Sequence, residues 1–137
     1  MKSMRSTTIA AVAGVLLVAA IGGLALNAQQ APAVKRTILT KQDMTIQGRE
    51  AVMAVVDLPP GSAEGRHTHP AEVFAFVLEG PLTLEVEGQP NVTLKAGDYF
   101  TLAPGQIHQV VNGGSAPGKL VAVFVTEKGK PLTTQVK

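Results

Sequence analysis

The chain has 137 residues, enough for one domain and too few for two. It is 45% apolar and 16% charged, which excludes wholesale disorder, and it has no cysteine, which excludes disulfide scaffolds, thiolate metal sites and catalytic thiols. The formal net charge is +2, but setting aside Lys2 and Arg5 leaves ten basic against ten acidic residues, with no basic patch among aromatics, so nucleic acid is not an expected partner.

Residues 1–28 read as an address. A short basic start, Met1 to Arg5, precedes an unbroken apolar run from Ile9 to Leu26. That pattern describes a secretory signal peptide, with cleavage expected after Ala28 or Ala25. The alternative is an uncleaved N-terminal membrane anchor. As a helix the run would span about 27 Å, close to a hydrocarbon core of ~30 Å. Either way the rest of the chain is expected outside the cytoplasm, periplasmic, secreted or anchored, and any membrane contact runs through this segment. Residues 29–35, with Pro32, read as a linker.

From residue 36 onward, short apolar runs alternate with turn signals. In chain order they are Thr37–Leu39, Ala51–Leu58, Val73–Leu78, Leu82–Val86, Val92–Leu94, Tyr99–Leu102, Ile107–Val111 and Leu120–Val125. Pro-Pro-Gly, Glu-Gly-Pro, Pro-Gly and Asn-Gly-Gly clusters stop several of them. No amphipathic helical stretch follows the leader. The pattern predicts an all-β sandwich or barrel over residues 36–126, with 127–137 as a polar tail.

The chain has three histidines. His67 and His69 form an H-x-H pair, and on a strand positions i and i+2 project from one face. His108 opens a strand just after Pro104-Gly105. A neighbouring strand bringing His108 opposite the pair would let three imidazoles grip one divalent ion. Imidazole suits zinc, copper, iron and nickel.

Two motifs give the chain its resemblance to a known family. The first runs Gly61, then His67-Thr-His69, Glu72 and Gly80. The second runs Gly97-Asp98, then Pro104-Gly105, His108 and Asn112. Together they resemble the cupins, whose fold is a double-stranded β-helix, or jelly-roll barrel. The resemblance implies His67, His69 and His108 as ligands of one divalent metal (zinc, copper, iron, manganese or nickel). It also implies a Glu ligand, for which Glu72 is the candidate. Glu72 stands nearer the second histidine than the family pattern has it, and Val73 holds the expected position. Either the loop at Pro70-Ala71 shifts so that Glu72 reaches the metal, or the site is three-histidine only. The spacing favours the latter, with Val73, Ala75 and Val77 lining the interior.

Glu72, Tyr99 and Gln109 are the acid/base candidates near such a site, and none has a spacing that assigns a catalytic role. The resemblance admits metal-assisted oxygenation, decarboxylation or isomerisation of a small, anionic substrate. It equally admits a non-enzymatic cupin that binds metal or a small ligand, and a structural β domain is the third reading. Export biases a histidine site toward copper and zinc by intrinsic affinity. Phe74, Phe76 and Leu78 would crowd the outer face of their strand, which predicts a homodimer through that face.

Overall fold

The computed structural model describes residues 30–137. The expected leader, 1–28, lies outside the described residues. Among the described residues there are ten strands and no helix. They are β1 (Lys35–Asp43), β2 (Arg49–Leu58), β3 (His67–Thr68), β4 (Ala71–Glu79), β5 (Leu82–Val86), β6 (Val92–Leu94), β7 (Tyr99–Leu102), β8 (His108–Val111), β9 (Gly118–Glu127) and β10 (Thr134–Gln135). The strands β1-β2-β9-β4-β7 form one five-stranded sheet and β10-β3-β8-β5-β6 the other. Neighbouring strands pair antiparallel throughout.

Alternation of side chains builds the core. Along β9 every second residue is buried, from Gly118 through Leu120, Ala122 and Phe124 to Thr126. The register sets Phe124 between Val52 and Val73, Ala122 between Ala54 and Ala75, and Leu120 between Val56 and Val77. The middle row is therefore all alanine, flanked by two bulky rows. Leu82 and Leu84 of β5, Leu94 of β6, Leu102 of β7 and Val110 of β8 complete the core.

As expected, Val73, Ala75 and Val77 point inward. Phe74, Phe76 and Leu78 face outward and are 54%, 46% and 45% exposed. β1 extends the sheet at its edge beside β2 and does not cover this face.

Two strands escape the hydrophobic pattern. β3 and β10 are two residues each and polar, and they pair with one another. The segment 127–137, read from sequence as a polar tail, folds back onto the barrel. Thr134 pairs with Thr68, Gln135 with His67, and the Val136 amide donates to the Arg66 carbonyl. Backbone pairing is joined by the His69 ring on the Leu132 carbonyl, by Arg36 on Thr133 and by Leu132 packing on the core, and a single apolar residue in a polar stretch leaves no periodicity to read.

Asn112, the last residue of the second motif, is structural. Its amide donates to the carbonyls of Leu58 at 2.8 Å and Ala116 at 2.9 Å, and its oxygen accepts from the Gly114 amide at 3.0 Å. The residue is buried, and buried polar groups need such partners. It ties the end of β8 to the end of β2 and to the loop before β9.

Candidate metal centre

The three histidines converge. His67 of β3 sits directly opposite His108 of β8. His69 follows two residues after His67 and shares its face. Ring centres are 4.7 Å apart for His67 and His69, 4.4 Å for His67 and His108, and 5.0 Å for His69 and His108. All three residues are buried, and one nitrogen from each lies within 4.8 Å of the others. Among the described residues this is the cluster that could hold a metal ion.

Each ring is oriented by a backbone carbonyl. His67 Nδ1 meets the Gly65 carbonyl at 2.7 Å, His69 Nδ1 the Leu132 carbonyl at 2.7 Å, and His108 Nδ1 the Gln106 carbonyl at 2.9 Å. A carbonyl only accepts, so each Nδ1 carries the proton. In a neutral ring Nε2 is then a bare lone pair. The Nε2 atoms of His67 and His69 face each other at 3.1 Å. Two lone pairs at that distance repel unless a cation lies between them. Two nitrogens each about 2.0–2.1 Å from one ion, at angles of roughly 90–110°, stand about 2.9–3.4 Å apart. The donor set fits a divalent ion, and it has the outer hydrogen bonds by which metal-bound imidazoles are held.

The turn before His108 links the two motifs. Gly105 adopts φ 79°, the left-handed region that favours glycine, and its amide donates to the His69 carbonyl at 2.9 Å. The Gln106 side chain accepts from the Ala103 amide at 2.7 Å. The same turn thereby fixes the backbone at His69 and aims the Gln106 carbonyl at His108.

Burial sets the charge state. His69 is pushed down from 6.5 to about 3, chiefly by desolvation and then by the neighbouring His67, His108 and Arg36; its bond to Leu132 works the other way. His108 is pushed down to about 4, again chiefly by desolvation, with His67 and Arg36 adding to it and the Gln106 carbonyl opposing. Both rings are neutral near pH 7, the form a metal requires.

The carboxylate candidate does not join them. Glu72 lies between the buried Ala71 and Val73 on β4, so strand parity turns it outward. Its carboxylate is 3.9 Å from Arg49 on the outer surface. Val73 reaches the interior but has no ligand atom. Tyr99 is also on the outside, 75% exposed. Gln109 points to the other side of β8 from His108 and donates to Glu85 at 2.7 Å.

Two charged residues that the sequence did not single out do stand at the site. Arg36 and Glu64 line a cavity of about 20 Å³ together with His69, His108, Phe100 and Phe124. Glu64 Oε2 accepts from the Val110 amide at 3.0 Å. Glu64 lies inside the Gly61–His67 stretch, three places before His67, and that position was its signal. Arg36 follows another basic residue at the end of a linker-like stretch and gave none.

Comparison with known proteins agrees with this geometry. The family model described as "Cupin domain" matches residues 54–124. An oxalate-binding protein of Thermotoga maritima is 32% identical over 89 residues, covering 64% of this chain and 71% of its own. Germin-like protein 1-1 of Oryza sativa subsp. japonica is 36% identical over 77 residues, covering 53% of this chain. This chain spans only 36% of that rice protein's length. An uncharacterized conserved protein with a double-stranded beta-helix domain from Klebsiella pneumoniae subsp. pneumoniae shares the fold, with a TM-score of 0.62 at 24% identity over 74% of this chain and 85% of its own.

The lowered histidine values have a consequence for stability. In the unfolded chain the rings take up protons near pH 6.5; in the folded, metal-free protein His69 and His108 wait until about 3 and 4. Between those limits the unfolded state binds more protons, so acidification destabilises the fold, while above pH 6.5 this contribution is level. Urea midpoints of the metal-free protein should fall from pH 6.5 toward 4. In a His69→Gln, His108→Gln variant that fall should be smaller.

Proposed function

This chain belongs to the cupin family, and on that premise we propose that it is an exported cupin holding one divalent metal ion through His67, His69 and His108 for a small, anionic ligand. The carrying observation is the pair of Nε2 lone pairs at 3.1 Å with both Nδ1 protons committed to carbonyls. Export is supported by the basic start and apolar run of residues 1–28.

Bound there, the ion would supply Lewis-acid or redox chemistry at its open positions. The chain's part is to hold and shield it. Three neutral imidazoles leave the ion's charge uncompensated, which favours an anionic ligand. Arg36 and Glu64 are the polar groups at the cavity, and Phe100 and Phe124 close it with apolar surface. The name of the Thermotoga relative, an oxalate-binding protein, supports a ligand of this kind.

Oxygenation, decarboxylation or isomerisation are the reaction classes such a centre serves. A binding role without turnover is the second reading. The cavity of about 20 Å³ favours it, since that space holds little more than a water.

Elemental analysis of residues 29–137, purified from the cell envelope without added metal, tests the centre. We expect about one zinc or copper per chain and none in the His67→Ala, His69→Ala, His108→Ala variant. Stoichiometric manganese would overturn the affinity argument, and a metal-free wild type after dialysis against zinc, iron, manganese and copper would overturn the centre.

The apolar outer face supports a homodimer. Met53, Phe74, Phe76, Tyr99, Val121 and Val123 line an apolar groove of about 310 Å³ there. Light scattering at micromolar concentration should give twice the chain mass, and a Phe74→Glu, Phe76→Glu variant the single mass. A monomeric wild type would remove the dimer.

A further inference from the structure

Arg36 has donors that the fold leaves unused. Of the nine residues of β1 it alone is not exposed. Its Nη1 donates to Thr133 Oγ1 at 2.6 Å, and its guanidinium carbon lies 5.8 Å from the centre of the Phe124 ring. These contacts hold the group from one edge and one face. On the other edge, Nε is buried and has no partner among the described residues. Nη2 comes only to 3.8 Å from Glu64 Oε1, beyond hydrogen-bond range.

A buried N–H without an acceptor is costly and rare. Nε–H and the adjacent Nη2–H are parallel and coplanar, the fork that matches the two oxygens of a carboxylate. Glu64 does not fill it, because its other oxygen is held by the Val110 amide at 3.0 Å. The residue lines the same cavity as His69 and His108. That cavity's space of about 20 Å³ holds little more than a water, so a carboxylate would reach the fork with its oxygens alone and keep its body outside.

We propose that the Nε/Nη2 edge of Arg36 is a carboxylate-binding fork beside the three histidines. Its place next to a metal rests on the reading of the histidines given above; the fork itself does not. Thr133 and Phe124 make it rigid before the ligand arrives, so little side-chain freedom is lost on binding. Arg36 would then select a carboxylate over a neutral ligand of the same shape.

The test is an acetate titration of the ¹⁵N-labelled protein, metal-free and zinc-loaded, followed at the Arg36 Nε–H resonance. Acetamide, neutral and of similar shape, is the control. We expect a saturable shift with acetate and none with acetamide. In Arg36→Lys, which keeps the charge and loses the fork, acetate affinity read from backbone amides should fall about tenfold or more. No saturable shift in either form, or equal affinity in Arg36→Lys, overturns the proposal. Should the variant fail to fold, the wild-type titration still decides. Failure to load zinc would overturn the metal centre alone, because the metal-free titration answers for the fork.

Discussion

Three imidazole N–H groups bonded to three backbone carbonyls are the constraint on which this site depends. The carbonyls of Gly65, Gln106 and Leu132 each take the Nδ1 proton of a different histidine. Had any of them been absent, that ring could carry its proton on Nε2 and close the centre from within. With all three in place, the free lone pairs of His67 and His69 face each other at 3.1 Å, and one nitrogen of each of the three rings lies within 4.8 Å of the others. Those carbonyls come from three separate stretches of chain: the loop before β3, the turn before β8, and the returning C-terminal segment. The nitrogen donors are thus written in side chains, while their orientation is written in backbone.

The barrel supplies the rest by simple rules. Strand parity puts His67 and His69 on one face, and antiparallel register puts His108 opposite His67. The Gly105 amide bonds the His69 carbonyl and so couples the two motifs in space. Bulky rows from β2, β9 and β4 flank a row of alanines. Desolvation by this surrounding keeps His69 and His108 neutral, which is the state needed to bind a cation. A fold that merely buried the rings without carbonyl partners would leave their Nδ1 donors unsatisfied and their tautomers open.

The sequence made much of this legible. Leu82–Val86, Val92–Leu94 and Tyr99–Leu102 begin and end where turn residues put them. The three histidines were readable because no other histidine competes with them and two sit at the spacing a strand presents on one face. Glu72 was readable as a doubtful ligand because the motif spacing put Val73 at the expected position, and Glu72 does face outward. What stayed hidden shares one cause. β3, β10, the Leu132 carbonyl and Thr133 act through backbone or through single polar contacts distant in sequence, such as the bond from Arg36 to Thr133. Such contacts leave no periodic trace. Arg36 drew no notice because its inward turn depends on β1 pairing with β2, not on its neighbours.

The account comes down to which ring nitrogens are free. Long-range ¹H–¹⁵N spectra of the imidazoles, recorded at pH 7 before and after zinc, read this directly. The geometry predicts a proton on Nδ1 of each ring, with His69 and His108 neutral, and one equivalent of zinc that shifts the three Nε2 signals together. A ring protonated at Nε2 in the metal-free protein, or a histidine whose Nε2 does not respond to that equivalent, would contradict it.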